Sequence, residues 1–96
     1  MYFNNYVDTF TVETVKDKYG DKVSTKVFNK RVDCVLLEAS FTQELNNSNR
    51  VVKMIAGEKL AKGVLFEYDN DTFRITAYKK AKQNYVHLGE LVTDVF

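Results

Sequence analysis

The sequence has 96 residues, of which 45% are hydrophobic and 28% are charged, a composition typical of a folded globular chain. This length supports one hydrophobic core, so we expect a single domain over 1–96. No apolar run approaches the roughly 20 residues of a membrane-spanning helix, and the net charge of only +1 excludes binding to DNA or a membrane through overall charge.

The whole chain contains seven Phe, six Tyr and no Pro, and strand-forming residues dominate its first half. Aromatic and β-branched residues favour strands. Alternation of apolar and polar residues predicts strands over 6–15, 23–28 and 31–40. A polar loop over 16–22 joins the first two strands, and a break at 29–30 separates the second from the third. Both faces of 31–40 are partly apolar, which indicates a central strand.

Short strands separated by turn-forming residues also fill the second half, after a polar central loop over 44–50. The segment 56–63 has a glycine near each end and predicts either one helical turn or a loop. Strands are predicted over 51–55, 64–68 and 72–78, and the last two of these are joined by a tight turn at Asp69-Asn70-Asp71. A basic connection over 79–84 and a last strand over 86–95 follow.

The predicted fold class is therefore all-β. Six or seven short antiparallel strands, with at most one short helical turn, suit a small barrel or a sandwich. The alternation of side chains along each strand is the same in both architectures, so both alternatives stay open at this point.

The inventory of chemically reactive residues is small. His87 and Cys34 are the only histidine and the only cysteine, and the chain has no phosphate-binding glycine motif, no HExxH and no CxxC. A lone histidine in a strand is typical of a structural or an exposed residue, and a lone cysteine among apolar neighbours is typical of a small buried side chain. We expect no enzymatic activity, no cofactor and no small-molecule substrate.

Two groups of carboxylates lie at predicted turns, Asp17 with Asp21 and Asp69 with Asp71. A calcium loop of the EF-hand type needs oxygen ligands at alternating positions, a central glycine and a terminal glutamate. Neither segment has that pattern, so these residues predict hairpin turns and no metal site.

Basic and aromatic residues alternate over 12 positions near the carboxyl end. This mixture suits single-stranded nucleic acid, because cations contact phosphates and aromatic rings stack on bases. Lysines in a hairpin connection are also typical of a solvated surface or of a protected sheet edge. The candidate contact residues for nucleic acid or a partner protein are Arg74, Tyr78, Lys79, Lys80, Lys82 and Tyr85.

Two stretches give the chain a family resemblance. Asp8–Val27, DTFTVETVKDKYGDKVSTKV, reads as a strand, a polar turn and a returning strand. Gly57–Val92 reads as an apolar run, a tight polar turn, an aromatic-x-Ile strand, a variable loop and a final strand near a histidine. With these elements in this order, the chain resembles the short minor capsid or head–tail connector proteins of tailed phages of Gram-positive bacteria. The turn Asp69-Asn70-Asp71, where relatives often have a glycine turn, and the polar segment 41–50 depart from that pattern.

The resemblance implies a structural virion protein with no active site. Such proteins are similar to the adaptor or stopper rings between portal and tail, so the implied partners are neighbouring copies, portal or adaptor proteins and tail proteins, with possible contact to packaged DNA. The implied location is the virion, after synthesis in the host cytoplasm. Loops that reach neighbouring subunits would complete a ring. The candidate loop contacts are Asp17, Tyr19, Asp21, Phe41 and Arg50.

Two other functions suit the same residues. One is a small barrel that binds single-stranded nucleic acid through the basic and aromatic segment 74–85. The other is a phage-encoded inhibitor of a host protein, which would need no catalytic residues.

Overall fold

Six antiparallel strands form the fold. The computed structural model describes residues 3–38 and 50–93, and nothing in these two ranges forms a helix long and apolar enough to cross a membrane. In chain order the strands are β1 Asn5–Lys16, β2 Lys22–Glu38, β3 Val51–Ala56, β4 Leu65–Tyr68, β5 Asp71–Ala81 and β6 Asn84–Leu91.

The strands close into a barrel in the order β1-β2-β3-β6-β5-β4. Closure depends on a short pairing between β1 and β4, where Thr9 lies opposite Phe66 and Phe10 opposite Leu65. The predicted all-β fold is therefore confirmed, and of the two architectures the barrel is the one observed. Closure pairs the first strand with the fourth and so shortens the exposed edges of the sheet.

Alternate side chains of each strand fill the interior of the barrel. Phe66 and Phe73 stack there, with ring centroids 5.5 Å apart. Gly89 lies beside them, and a Cβ at that position would be 2.5 Å from Cζ of Phe66. The buried apolar cluster comprises Val7, Val32, Cys34, Val52, Met54, Ala56, Leu60, Phe66, Phe73 and Ile75.

β2 is longer than the sequence predicts. The break expected at 29–30 is absent, because the register between β1 and β2 shifts at Thr9/Phe10 and the ladder then continues. One extra residue on β2, Asn29, is accommodated there as a bulge, and a bulge bends a strand without ending it. The predicted strand 23–28 and the described part, 31–38, of the predicted strand 31–40 are consequently two parts of one strand.

The second correction concerns 79–84, predicted as a connection. β5 continues to Ala81 and β6 begins at Asn84, so only Lys82 and Gln83 form the turn. Lys82 has a positive φ of 60°. The common two-residue hairpin turns require a positive φ at the first turn residue, and type I′ also requires it at the second.

The hairpin turn between β4 and β5 is confirmed. Asp69 and Asn70 have φ values of 53° and 66°, and Tyr68 pairs with Asp71 on either side of them. Two successive left-handed residues are the signature of a type I′ turn, which Asx residues tolerate better than most.

Both long hairpins leave the same end of the barrel, which we call the projecting end. The antiparallel order directs the β1–β2 turn, the β5–β6 turn and the β3–β4 connection towards this end. The connection, 57–64, is a loop without a helical turn. Its Leu60 is 3% exposed and packs with the core, so the loop covers the barrel interior.

Candidate interaction surfaces

A two-stranded arm, residues 11–27, extends beyond the barrel wall. β1 leaves β4 after Phe10, and β2 contacts β3 only from Cys34 onward. The arm therefore pairs only with itself, from Thr11 opposite Val27 to Lys16 opposite Lys22. Apart from two half-buried residues, all its side chains are exposed on both faces. An isolated hairpin of this kind contributes little to the stability of its own barrel.

The two faces of the arm differ in chemistry. Cross-strand pairing places three exposed valines, with one charged residue, on the face that continues the barrel interior. The other face contains three lysines. The valine face consists of Thr11, Glu13, Val15, Val23, Thr25 and Val27, and the lysine face consists of Val12, Thr14, Lys16, Lys22, Ser24 and Lys26.

The predicted contact residues Asp17, Tyr19 and Asp21 lie together at the tip of the arm. The Asp17 carboxylate accepts the backbone N–H groups of Tyr19 at 2.8 Å and of Asp21 at 2.9 Å, and Gly20 has a φ of 85°. Asp17 therefore has a clear structural role in the turn. Tyr19 is 77% exposed, so its ring is free to meet another molecule.

The basic and aromatic segment 74–85 is divided between the two faces of the β5–β6 hairpin. Tyr78, Lys80 and Tyr85 share the inner side because Tyr78 pairs with His87 and Lys80 with Tyr85.

Lys59 of the covering loop joins that group, with its ammonium 5.4 Å from the Tyr78 ring centre. Lys79 lies on the opposite face, Lys82 is in the turn, and Arg74 pairs with Glu90 far from the turn. Three of the six predicted residues are thus brought together, and Lys59 is a neighbour that the linear cluster did not include.

An apolar surface covers the outside of four neighbouring strands. Two rows of laterally paired residues form it, one along Val35, Ile55, Val86 and Lys79, and one along Leu37, Lys53, Leu88 and Ala77. We call these eight residues the outer face.

A shallow groove of about 380 Å³ lies on the part of the outer face formed by β3, β5 and β6, where its lining residues are Lys53, Ala77, Tyr78, Lys79, Ala81, Val86 and Leu88. On the neighbouring β2, Leu37 is 52% exposed. Within 3–38 and 50–93, no ion pair joins Lys53 or Lys79 to a carboxylate.

The single cysteine and the single histidine of the sequence are both buried in the interior of the barrel. Cys34 has no exposed surface, and burial, helped by Asp33, raises the pKa of its thiol to about 11. Burial likewise lowers the pKa of His87, whose two ring nitrogens bond to the backbone of Leu60 and Met54. The burial expected for Cys34 is observed, and of the two alternatives for His87, a structural or an exposed residue, the structural one is observed.

Arg50 lies at the opposite end of the barrel, in a group of carboxylates. Its guanidinium donates two bonds of 2.8 Å to Glu38 and others to Asp69 and Asp71, and these bonds raise its pKa. The group closes one end of the barrel by joining β2, β3 and the β4–β5 turn. In the described ranges, no set of three His, Cys, Asp or Glu side chains could hold a metal ion. Phe41 lies outside the described residues.

The surfaces that sequence reasoning missed are the valine face and the outer face. In the sequence, Val35 and Leu37 form a second apolar face of the strand 31–40, and that pattern predicts a central position in the sheet. In the barrel this second face points outwards. The sequence likewise predicts ordinary strands for the valines of the arm, because the alternation of residues cannot show where a hairpin leaves the barrel.

Comparison with known proteins gives a structural match without a sequence match. No family model and no curated protein matches the chain. A solved chain from the virion of a native gene transfer agent particle superposes with a TM-score of 0.69 at 13% identity, covering 98% of this chain and 99% of that chain. The barrel with its projecting hairpins is therefore a fold that occurs in a virion particle.

Proposed function

We propose that this protein is a non-enzymatic structural component of a virion of the tailed-phage type. Within the virion it acts as a head–tail connector of the adaptor or stopper kind. Copies assemble as a ring between portal and tail, with neighbouring copies, portal or adaptor proteins and tail proteins as partners. The likeness over nearly the whole length to a chain of a gene transfer agent virion supports this proposal.

The observation that carries the proposal is the arm. It places Val15, Val23 and Val27 in solvent, with exposed fractions of 50%, 41% and 38%. Val15 and Val23 pair directly across the arm, and Val27 lies on the same face beyond the Glu13–Thr25 pair, so this face offers apolar side chains to a partner. A two-stranded projection that contributes little to its own core is well suited to reach a neighbour in an assembly.

The test compares the intact chain with an arm-trimmed variant in particles. In the variant, Asn-Gly replaces residues 12–26 and joins Thr11 to Val27, which already face each other across the ladder. Particles from the producing culture, washed on a density gradient, should contain the intact protein in several copies each. They should contain little of the trimmed variant when it is the only version supplied.

A control variant carries Lys16→Ala and Lys22→Ala, which leave the arm at full length. We expect it to enter particles normally if the valines are the contact. Absence of the intact protein from washed particles would contradict the proposed function.

A second candidate function is binding of single-stranded nucleic acid at the β5–β6 hairpin. Tyr78 and Tyr85 lie on one face with Lys80 and Lys59, and the ammonium of Lys80 is 6.0 Å from the Tyr85 ring centre. Aromatic platforms beside cations suit stacked bases and phosphates. Inside a connector, the same face would suit packaged DNA.

Fluorescence anisotropy with labelled single-stranded DNA tests this candidate. We expect the double change Lys59→Ala and Lys80→Ala to weaken binding and flatten its salt dependence, because each lost phosphate contact lowers the slope by about one unit. The matched change Lys16→Ala and Lys22→Ala in the arm should leave the slope unaltered. Equal slopes in all three proteins would remove the hairpin face as a binding site. The third function, inhibition of a host protein, stays a prediction.

A further inference from the structure

We propose that the valine face of the arm packs on the outer face of a second copy of this chain. This contact would cover two apolar surfaces that are exposed on one molecule, and it makes a second copy of the chain the partner of the arm. The closure of such contacts into a ring rests on the proposed function, whereas the contact itself does not.

The two surfaces have matching dimensions. From Thr11 to Val15, the valine face extends over four residue steps, about 13 Å at the usual rise of a strand. The outer face crosses four strands from Leu37 to Ala77, about 14 Å at the usual strand spacing. A two-stranded ribbon can therefore lie across the outer face and cover all three valines, as two sheets do when they pack face to face.

The charges of the two surfaces are complementary. Glu13 is the one charged residue on the valine face, and Lys53 and Lys79 are the charged residues on the outer face. The opposite side of the arm carries Lys16, Lys22 and Lys26 and would place like charges together if it docked there. Charge complementarity of this kind selects the orientation of a contact more than it adds affinity.

The arm cannot satisfy the outer face of its own barrel. Its strands are direct continuations of β1 and β2, interrupted by a single register shift at Thr9/Phe10, so the paired ladder keeps it extended from the projecting end. The two surfaces must therefore meet between molecules.

A contact between two different patches is heterologous, so each copy offers an arm to one neighbour and an outer face to the next. Such contacts produce a closed ring when the rotation between copies allows it and an open chain when it does not.

Disulfide trapping between two full-length variants tests the contact. One variant carries Thr25→Cys on the valine face, and the other carries Ala77→Cys on the outer face and a mass tag. Both positions are exposed, whereas the natural Cys34 has no exposed surface and does not compete. The matched control replaces the first variant with Thr14→Cys, which is also exposed but lies on the lysine face.

The expected result is a mixed disulfide that forms about tenfold faster with Thr25→Cys than with Thr14→Cys, because the contact raises the local thiol concentration. Adding Glu13→Lys should slow trapping about two- to fivefold, the range of an exposed ion pair. Combining Glu13→Lys with Lys53→Glu and Lys79→Glu on the partner should restore it. Circular dichroism of each variant confirms that it is folded.

Equal trapping rates for Thr25→Cys and Thr14→Cys would overturn the proposed contact, whether or not the protein occurs in particles. Preferred trapping at Thr25→Cys, together with absence of the protein from washed particles, would support the contact and contradict the connector function. The two proposals are thus separated by two different measurements.

Discussion

The backbone N–H of Leu60 donates to Nε2 of His87 at 2.9 Å. Nε2 must therefore be unprotonated, and the proton on Nδ1 is donated to the carbonyl of Met54, 3.1 Å away. This buried bond attaches the covering loop to the barrel wall and requires a neutral imidazole. The requirement gives the fold a defined dependence on pH.

We expect the free energy of unfolding to fall as the pH drops below the ordinary histidine value of 6.5. Burial lowers the pKa of His87 in the folded state, so the unfolded chain binds the proton first and is favoured as pH falls. The slope for one proton is at most about 1.4 kcal/mol per pH unit. Urea unfolding between pH 8 and about pH 5 measures it.

The control for this dependence is His87→Gln, which removes the titrating group. It should be less stable at pH 8, because Leu60 or Met54 loses its partner, at a cost of about 1–3 kcal/mol. Its stability should then change little between pH 8 and about pH 5.5, above the range of carboxylates. A slope as steep as that of the natural chain would show that another group is responsible.

We expect substitutions of Gly89 and Phe66 to have coupled effects on the stability of the barrel. An added Cβ would be 2.5 Å from Cζ and 2.6 Å from Cε1 of the Phe66 ring, which is stacked on Phe73 and has no exposed surface. Gly89→Ala should therefore destabilise the barrel by about 1–3 kcal/mol through overpacking.

Phe66→Leu removes the atoms that an alanine at position 89 would meet. The double variant should be more stable than the sum of the two single changes predicts, by about 0.5 kcal/mol or more. Additive effects in a urea double-mutant cycle would mean that the ring moves aside without cost.

The Cys34 thiol should be unreactive in the folded protein. It has no exposed surface, and burial raises its pKa to about 11, so little thiolate is present at neutral pH. Reaction with an aromatic disulfide reagent at pH 8 should be slow until urea unfolds the chain. An exposed control, Thr25→Cys, should release one equivalent rapidly, and rapid release of one equivalent by the natural protein would contradict the burial.

Arg50 should contribute more to stability than other surface arginines. It bonds to three carboxylates, and its side chain is 25% exposed, whereas Arg31 pairs with Asp8 alone and is 58% exposed. Arg50→Ala should cost about 1 kcal/mol, since exposed pairs contribute little but a network with a bidentate arginine contributes more. Arg31→Ala should change the urea midpoint little.

The contribution of Arg50 should also depend on acid pH. Its hydrogen bonds lower the pKa of Glu38 below the ordinary 4.5, so the stabilisation is present above pH 4.5 and is lost as the pH falls through the folded-state pKa. The difference in stability between the natural chain and Arg50→Ala should narrow as the pH falls through the folded-state pKa of Glu38. A difference that stays constant as Glu38 is protonated would show that Arg50 acts through packing on Phe73, whose ring lies 5.4 Å from the guanidinium.

Removal of the arm should leave the barrel folded. All but two arm residues are exposed, and the contact of Lys26 with Glu67 is a surface ion pair. Replacing 12–26 with Asn-Gly should therefore change the free energy of unfolding by about 1 kcal/mol or less. Loss of the cooperative urea transition would show that the arm is part of the barrel core.

Much of the fold was predictable because its signals are local. Alternation along β1, β3 and β4 gives bounds within one residue of those observed. The segment Asp69-Asn70-Asp71 predicts a tight hairpin turn, because Asp and Asn tolerate positive φ, and the structure shows this turn as type I′ at Asp69 and Asn70. The predicted break at 29–30 and the predicted connection at 79–84 are wrong for a reason that is also local. Polar residues usually mark the end of a strand, but a bulge or a projecting hairpin tolerates them, because both faces of such segments meet water.

The class of the fold and the small inventory of reactive residues follow from the sequence alone, because alternation and composition depend only on neighbours along the chain. The closure of the sheet through Thr9 and Phe66 and the burial of Cys34 and His87 depend on contacts between residues that are distant in the chain, so they are visible only in the folded structure. Closure fixes which face of every strand is inside. It therefore leaves Leu37 outside the barrel and Val15 in solvent, although neither residue differs in type from valines and leucines of the core.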